Sequence, residues 1–359
     1  MDNKILSVQY LRGLAALLVV AAHAGAHPLT TEFYLYGRIG QLGVTLFFVI
    51  SGFIMVAITG QGRLKPLDFL HRRAIRIVPL YWLFTCLAAL LAALAPAMFR
   101  STTFTWPHLL QSLAFVPHLA PGRIESTSPL LSLGWTLNFE AMFYVAFALC
   151  GLFVARSRVL ILSVAFLALT LYGLFARPTD PVLSFYTDSI ILGFVVGCWL
   201  GLGWIGGAFG RLPRVAMLAL GAIAVTAGGT GFVLDQSIAS PVSFLAVLTL
   251  ATCLVAGGLT LDRELRPMPL LEKLGDASYA IYLIHMFVVG ALVAVAHRFS
   301  DPTQPLVGVT IIALAVLLSS VAGMLVHRYV ERPLLNLLRG RRRAPAQPMA
   351  PAERLAGRA

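Results

Sequence analysis

Apolar residues dominate this chain in ten runs that are separated by short polar stretches. Most runs hold close to the ~20 residues that an α-helix needs to cross a hydrocarbon core of about 30 Å. The pattern therefore predicts an all-α fold, a polytopic bundle of about ten transmembrane helices. The runs cover residues 11–26, 40–58, 79–98, 135–155, 159–176, 185–205, 214–234, 241–260, 278–296 and 305–327.

The composition agrees with an integral membrane protein. Of the 359 residues, 58% are hydrophobic and only 12% are charged, whereas a typical soluble domain has about 25% charged residues. The mean hydropathy of +0.85 is correspondingly high. These values exclude an ordinary soluble domain.

The basic residues are distributed unevenly between the two sides of the predicted bundle. The net charge of +12 would by itself be compatible with nucleic-acid binding. With a cytoplasmic N-terminus, however, 22 of the 27 Lys and Arg residues fall in cytoplasmic segments, as the positive-inside rule requires. We therefore predict that both termini are cytoplasmic, that the charge serves topology and contact with anionic membrane lipid, and that no nucleic acid is bound.

No internal repeat divides the chain, and residues 1–335 are interpreted as one transmembrane domain. The segment 99–134 is rich in Pro, Ser, Thr and aromatic residues, and its length predicts a partly ordered re-entrant or lid segment. Residues 336–359 are rich in Arg, Pro and Ala, which predicts a basic, disordered cytoplasmic tail. The four cysteines lie within apolar runs and lack metal-ligand spacing, so no metal site is predicted.

Ionisable residues inside the apolar runs are the candidates for chemistry, because each costs about 2.5–3.5 kcal/mol to insert into a bilayer. Arg12 and His23 are eleven positions apart in the first run, which places them on one helical face about 16 Å apart. His23 is either an interior histidine bonded to a backbone carbonyl, an interfacial residue near the outer face, or a general base, since a neutral imidazole can accept a hydroxyl proton. The same run also has the charge and cleavage pattern of a signal peptide.

A second group of candidates lies in and before the third and fourth runs. Glu140 is either a counter-ion for an arginine or a support for an imidazolium, and it shares a helical face with Tyr144. Trp135 is typical of an interfacial anchor. The stretch FLHRRAIRIVPLYW is interpreted as a cytoplasmic loop, with Pro79 in the first turn of the helix that follows. The guanidinium groups of this stretch belong to Arg72, Arg73 and Arg76. They serve either as positive-inside charge or as a clamp for phosphate.

The ninth run carries a polar stripe. Ser278, Tyr282 and His285 lie within about 60° of one another on a helical wheel, either as packing contacts between helices or as the lining of a substrate channel. Asp188 stands at the outer end of the sixth run, where a carboxylate can reach water. The stretch VERP (330–333) is interpreted as a helix end with a local ion pair and no chemical role.

Different classes of protein fit these residues. Buried His, Arg and Glu side chains suit an enzyme, but they also suit a proton-coupled secondary transporter of a glycan or small metabolite. A non-catalytic partner in polysaccharide assembly is a third alternative. The missing repeat and the scarcity of Gly- or Pro-broken helices in matched halves speak against the transporter. No P-loop, His-Glu-x-x-His zinc pattern or Gly-x-Ser-x-Gly elbow is present.

Taken together and in order, the polar stretches resemble the membrane acyltransferase-3 family of bacterial glycan O-acyltransferases, most of all its exopolysaccharide O-acetyltransferases. The resemblance covers roughly residues 5–335. It rests on Arg12 with His23, FFVISGF (47–53), RRAIRIVPLY (72–81), WTLNFEAMFY (135–144), Asp188 with Gly193, SYAIYLIH (278–285) and the closing ERP.

This resemblance implies a multi-pass enzyme of the bacterial cytoplasmic (inner) membrane. The implied reaction moves an acyl group, acetyl by default, from cytoplasmic acyl-CoA to a hydroxyl of an exported polysaccharide or its lipid-linked precursor. Acetyl-CoA would be a co-substrate, no metal would be needed, and polysaccharide-assembly proteins are possible partners. A cleaved signal peptide is disfavoured, because cleavage would remove the catalytic helix.

The resemblance also implies roles for the candidate residues. The family's catalytic residues match Arg12, His23 and Glu140, and its arginine-rich motif, which would bind the phosphates of acyl-CoA, matches Arg72, Arg73 and Arg76. We expect the pantetheine arm to bring the thioester to His23, which acts as a base or carries the acyl group. The residues expected to contact the acceptor are Tyr282, His285, Ser278, Asp188 and Trp135.

Overall fold

The computed structural model describes residues 4–26, 33–95, 102–122, 127–210, 221–222, 226, 240–301 and 304–339. Within these ranges the chain is helical and contains no strand, which confirms the predicted all-α class. The α-helices of these ranges, labelled in chain order, are α1 (Leu6–Gly25), α2 (Phe33–Thr59), α3 (Pro66–Leu94), α4 (Trp106–Leu113), α5 (Gly134–Leu149), α6 (Ala155–Ala176), α7 (Pro181–Tyr186), α8 (Leu192–Ile205), α9 (Pro241–Leu261), α10 (Pro269–Phe299), α11 (Pro305–Val326) and α12 (Arg332–Arg339).

Nine helical segments within the described ranges are long and apolar enough to cross a membrane. They correspond to nine of the ten predicted runs. The tenth run, residues 214–234, lies outside the described residues except for positions 221, 222 and 226. The predicted polytopic bundle is therefore confirmed. The cytoplasmic location of both termini stays a prediction.

Helix α1 lies at the centre of the bundle. It packs against α2, α9, α10 and α11, and small side chains such as Ala15 and Ala16 along it are fully buried. Its approach to α10 is close because Gly275 lies against the backbone carbonyl of Gln9, where a Cβ atom would overlap the oxygen. The two helices run in the same direction from this point, so side chains further along each helix come face to face.

Helix α2 is held against α8 and α5 by glycine contacts and by stacked aromatic rings. Gly52 on α2 packs directly on the backbone of α8, with no room for a Cβ atom. The ring of Phe194 stacks between Phe48 (centroid distance 4.3 Å) and Phe143 (4.4 Å). This aromatic contact joins α2, α5 and α8, and it fixes the position of the polar residues on α5.

Helix α3 begins earlier than the sequence predicted. It starts at Pro66, so the basic stretch interpreted as a loop is part of the helix, and Pro79 lies inside the helix rather than in its first turn. Because these turns carry charged residues, their hydropathy is low and the pattern did not indicate the start of the helix. Pro66 at the first helical position is nevertheless a favourable start signal. The predicted positions of Pro79 and of this loop are therefore wrong.

Part of the predicted lid segment is ordered against α3. Within it, α4 is anchored by two side chains of α3: the Tyr81 hydroxyl donates to the Ser112 carbonyl (3.1 Å), and the Trp82 indole donates to the Leu113 carbonyl (2.9 Å). Because these bonds come from consecutive residues of α3, they set both the position and the rotation of α4.

Two buried histidines, His108 and His118, contact each other in this segment, with ring centroids 4.9 Å apart. His118 donates from Nδ1 to the Val116 carbonyl (2.7 Å). Burial lowers the pKa of His118, and the neighbouring His108 lowers it further. The segment therefore favours the neutral form of His118 over the protonated form.

Arg158 is a fully buried cation that ties two turns together. Its guanidinium donates to the Thr59 hydroxyl (3.2 Å) and to the carbonyls of Gly62 (2.9 Å) and Phe153 (3.0 Å). It also lies 4.9 Å from the centroid of the Phe147 ring. The sequence identified this residue only as a cytoplasmic positive charge, whereas the structure gives it a packing role.

The chain after α11 continues through a π-helical turn, His327–Glu331, into α12. Helix α12 ends at Arg339, so the first four residues of the predicted tail continue the helix, and residues 340–359 lie outside the described part of the chain. The boundary of the domain after residue 335 stays a prediction.

Candidate active site

Two of the cavities among the described residues enter the bundle and reach both Val44 and Tyr282. The first, named here the basic cavity, has a volume of about 1080 Å³ and lies at the end of the bundle where α1 begins. The second, named the histidine cavity, has a volume of about 980 Å³ and includes His23 near the end of α1. The bundle therefore offers two compartments that meet at one tyrosine.

The eleven-residue spacing in α1 leads to both compartments. Arg12 lines the basic cavity, and His23 lines the histidine cavity. One helical face thus presents a cation to one compartment and an imidazole to the other. The sequence predicted the shared face but not the division between two cavities.

The basic cavity is rich in cations. Its described lining includes seven Lys and Arg residues but only three carboxylates. The carboxylates are Asp68, Glu140 and Asp276, and the cations are Lys4, Arg12, Arg72, Arg73, Arg76, Arg332 and Arg339. Guanidinium groups bind phosphate through paired hydrogen bonds, so this lining suits a phosphorylated ligand.

Two arginines on neighbouring turns of α3 differ in their contacts. Arg76 forms an ion pair with Glu331 at 3.0 Å. The Arg73 guanidinium lies 5.9 Å from the ring of Phe69, and its Nε is buried without a hydrogen-bond partner among the described residues. Arg73 therefore keeps hydrogen-bonding capacity for a ligand, whereas Arg76 is already held by a carboxylate.

The carboxylate that holds Arg76 comes from VERP, to which the sequence assigned no chemical role. Glu331 is 1% exposed and also accepts a hydrogen bond from Nδ1 of His327 at 2.7 Å. Arg332 in turn donates to Nε2 of His327 (3.0 Å). This network ties α3 to the π-helical turn and borders the basic cavity, so the segment is part of the site.

Glu140 faces the basic cavity, and its hydrogen bonds are with neighbouring hydroxyl groups. It accepts from the Ser51 hydroxyl (3.2 Å) and from the hydroxyl of Tyr144, its neighbour on the same helical face. These two hydroxyl contacts do not test the predicted support of the His23 imidazolium by Glu140. That support and the catalytic role of Glu140 stay predictions.

His23 contacts a backbone carbonyl and a second imidazole. Its Nδ1 lies 2.9 Å from the Val19 carbonyl oxygen and 3.2 Å from Nε2 of His285. His285 is fully buried, and its own Nδ1 lies 2.6 Å from the Tyr282 carbonyl oxygen. The stripe residue His285, predicted to contact the acceptor, is thus placed directly against the predicted base.

The other residues of the stripe occupy the wall between the cavities. The Tyr282 hydroxyl is 2.7 Å from the Thr136 hydroxyl and donates to the Leu133 carbonyl at 3.1 Å. Ser278 lines the basic cavity, where its hydroxyl is buried and has no hydrogen-bond partner within the described ranges. Ser278 thus does not line the histidine cavity, where a residue that contacts the acceptor would be expected.

Asp188 and Trp135 line the histidine cavity together with His23. Asp188 is exposed, as predicted, and its side chain accepts from the backbone N–H of Ile190 (2.8 Å), which caps a short 3₁₀ turn. The Trp135 ring packs edge-on against Phe139, with centroids 5.9 Å apart. A flat indole and a carboxylate beside an imidazole can bind a polar, ring-shaped ligand and activate its hydroxyl groups.

Some residues of the site were missed by the sequence analysis. Ser51 lies in the quoted stretch FFVISGF, but only its contact with Glu140 gives it a role. Tyr279 lines the basic cavity and donates to the Ile77 carbonyl (2.8 Å). Asp276 pairs with Lys4 at 2.9 Å. No spacing rule links these partners, because each pair joins helices that are distant in sequence.

The fold and the two cavities define a class: an integral membrane protein with one cavity lined by cations and another that includes a histidine. The chain matches the acyltransferase domain family (Acyl_transf_3) over residues 5–325, so it belongs to that family and is an acyltransferase. This confirms the resemblance seen in the motifs and favours an enzyme over a secondary transporter.

Several proteins are similar to the chain along most of its length. It is 39% identical to the exopolysaccharide production protein ExoZ of Rhizobium meliloti (strain 1021), covering 85% of this chain and 92% of ExoZ. It is 26% identical to the acyltransferase MdmB of Streptomyces mycarofaciens, covering 96% and 95% of the two chains. Identity to the peptidoglycan O-acetyltransferase OatA of Listeria monocytogenes is 25%, over 91% of this chain and 55% of OatA. No solved structure matches the chain.

Proposed function

We propose that this acyltransferase moves an acetyl group from acetyl-CoA in the basic cavity to a hydroxyl group of a polysaccharide, or of its lipid-linked precursor, in the histidine cavity. The observation that carries the proposal is the pair of cavities that meet at Tyr282. We assign the protein to the bacterial cytoplasmic membrane, with the basic cavity open to the cytoplasm as the positive-inside rule predicts.

The donor side of the proposal depends on the charge and the polarity of the basic cavity. The guanidinium groups of Arg72 and Arg73 would bind the phosphates of the donor. A pantetheine arm carries amide groups, which need hydrogen-bond partners inside the bundle. Besides Nε of Arg73, two buried polar atoms of residues lining the cavity have no partner among the described residues, Oε1 of Gln9 and Oγ of Ser278. Its volume of about 1080 Å³ is at the upper end of ordinary ligand sites.

The acceptor side depends on His23 and the cavity around it. Among the relatives, an exopolysaccharide production protein and a peptidoglycan O-acetyltransferase support a polysaccharide acceptor. Trp135 and Asp188 would hold a sugar by ring contact and hydrogen bonds. His23 would then take up the proton of one sugar hydroxyl at Nε2.

The balanced reaction needs one proton transfer in each direction. His23 accepts the hydroxyl proton as the sugar oxygen forms a bond to the thioester carbonyl carbon. The carbon–sulfur bond then breaks, and His23 returns the proton to the departing thiolate. The alternative is that Nε2 of His23 itself accepts the acyl group as the carbon–sulfur bond breaks and the CoA thiolate leaves. In a second step the sugar oxygen takes the acyl group from Nε2, and the hydroxyl proton passes through Nε2 to the thiolate.

The test uses purified protein, acetyl-CoA labelled in the acetyl group, and the polysaccharide fraction of a strain that lacks this protein. Wild type should form a base-labile ester on the polysaccharide. His23→Ala should form none, although it should still bind CoA. Retained CoA binding is the control for folding, because His23 does not line the basic cavity.

The other outcomes would change specific parts of the proposal. Tight CoA binding without transfer of acetyl would point to a different acyl group, such as succinyl, or to a different acceptor. Absence of CoA binding by wild type would contradict the assignment of the basic cavity. Loss of CoA binding in His23→Ala would indicate a folding role for His23.

A further inference from the structure

The contact between His23 and His285 joins two helices at the histidine cavity. The two residues are separated by 262 positions in the sequence, and their facing nitrogens are 3.2 Å apart. Their ring centroids are 5.0 Å apart and the planes are tilted by 49°. This geometry is that of an edge-on hydrogen bond between imidazoles rather than of ring stacking.

The acceptors around the pair determine where the protons lie. A backbone carbonyl can only accept a hydrogen bond, so Nδ1 of His285, 2.6 Å from the Tyr282 carbonyl oxygen, carries a proton. In the neutral ring, Nε2 of His285 therefore carries a lone pair. This lone pair faces Nδ1 of His23, which also faces the Val19 carbonyl oxygen at 2.9 Å.

Two acceptors around Nδ1 of His23 require a proton on that atom. A neutral His23 then has its lone pair on Nε2, the nitrogen that must act as the base in the reaction. The Val19 carbonyl holds the ring weakly, because it is four residues earlier in the same helix and also accepts the helical backbone hydrogen bond. The second acceptor comes from a different helix and fixes the direction of the ring.

We propose that His285 is a positioning residue for the acyl transfer. It selects the His23 tautomer that has the lone pair on Nε2, and it orients the His23 ring. This inference rests on the proposed function in that it takes His23 as the base. It replaces the expectation that His285 contacts the acceptor, since His285 is fully buried behind His23.

The same contact has a consequence during the reaction. When Nε2 of His23 takes up the hydroxyl proton, Nδ1 keeps its own proton and continues to donate to Nε2 of His285. The lone pair of His285 stabilises the imidazolium, while both protons of His23 stay in place. His285 thus takes the position that a carboxylate occupies behind the base in many catalytic triads.

Two substitutions at position 285 separate this role from simple packing. His285→Gln places an amide oxygen near the position of Nε2 and can still accept from His23. In His285→Asn the side chain is one methylene shorter than glutamine. Its amide can bond the helix carbonyl behind it but does not reach His23. Both retain a polar side chain at the same buried position. His297→Asn, on the exposed last turn of the same helix, is the matched control.

The assay measures kcat for acetyl transfer, KM for acetyl-CoA, and the affinity for CoA. We expect His285→Asn to lower kcat roughly 10- to 100-fold, the range for loss of a hydrogen bond to a charged group. KM and CoA affinity should stay within about twofold of wild type, and His285→Gln should recover most of kcat.

Several results would overturn the proposal. One is a kcat within twofold of wild type for His285→Asn. Another is an equal loss of kcat in His285→Gln and His285→Asn. A third is a change confined to the KM for the polysaccharide. The last result would restore the acceptor-binding role. Normal transfer by wild type together with any of these would overturn this inference alone, whereas no transfer by wild type would overturn the proposed function and this inference with it.

Discussion

Arg73 and Arg76 lie on neighbouring turns of α3, and their substitution by glutamine should have opposite consequences for stability and donor binding. Arg76 is paired with the buried carboxylate of Glu331 at 3.0 Å. Arg73 has a buried Nε without a hydrogen-bond partner among the described residues. We expect Arg76→Gln to destabilise the fold, and Arg73→Gln to weaken acyl-CoA binding while leaving the fold intact.

The magnitudes follow from these contacts. Breaking a buried ion pair by removing one partner costs about 3–5 kcal/mol. Glu331 keeps the hydrogen bond from His327, and the Arg76 side chain is 26% exposed, so about 2–3 kcal/mol is expected here. At about 2 °C per kcal/mol for a chain of this size, the melting temperature should fall by roughly 4–6 °C. Loss of a charge-assisted hydrogen bond to phosphate costs about 1.5–3 kcal/mol, so Arg73→Gln should raise the Kd for CoA roughly 10- to 100-fold.

The assay combines thermal unfolding in detergent with CoA binding by calorimetry. The double variant Arg76→Gln with Glu331→Gln is the control, because two amides can bond to each other and no buried charge is left alone. Its melting temperature should recover most of the loss seen in Arg76→Gln. An unchanged melting temperature in Arg76→Gln, or an equal fall in Arg73→Gln, would refute the distinction between a paired and an available arginine.

Other predictions concern residues that the structure places in defined contacts. Glu140→Gln keeps an acceptor for Tyr144 but removes a negative charge from the basic cavity. CoA affinity should therefore rise up to about 20-fold, since a unit charge about 10 Å away contributes about 1.7 kcal/mol at an effective dielectric of about 20; a fall in kcat with unchanged CoA affinity would instead favour a role at His23. Arg158→Met should lower the melting temperature through loss of buried charge-assisted hydrogen bonds, about 3 kcal/mol in all, without changing CoA affinity. Because burial lowers the pKa of His118 in the folded state, protonation favours the unfolded state and stability should fall as the pH drops below about 6.5. His118→Asn should reduce the fall in melting temperature between pH 7.5 and pH 5, and an identical pH profile would contradict the argument.

The helical bundle could be predicted from the sequence because run length and hydropathy reflect the thickness of the membrane. The prediction failed where a helix carries charge. Helix α3 begins at Pro66 instead of near Pro79, and α10 begins at Pro269, nine residues before the predicted run. In both cases the added turns are polar because they face a cavity or an aqueous end of the bundle. Hydropathy cannot distinguish such turns from a loop.

The candidate site could be predicted in part because some of its residues share one helix. The spacing of Arg12 and His23 gave their common face, and the spacing of Glu140 and Tyr144 gave their contact. Contacts between helices could not be predicted in this way. His285 was recognised as part of a polar stripe, but its partner is 262 positions away and depends on the approach of two helices at a glycine.

In the proposed reaction, the junction of the two cavities must let the thioester reach the sugar hydroxyl while it keeps bulk water out. Tyr282 reaches both cavities, and its hydroxyl is held by the Thr136 hydroxyl and the Leu133 carbonyl. An open passage would bring water to the thioester beside a histidine base, and hydrolysis would then compete with transfer. Tyr282→Ala should therefore raise the release of CoA without acceptor relative to ester formation. Tyr282→Phe, which keeps the ring, should change this ratio much less. Release of free thiol, measured with and without polysaccharide, gives the ratio directly, and an equal ratio in wild type and Tyr282→Ala would show that the tyrosine is not the barrier.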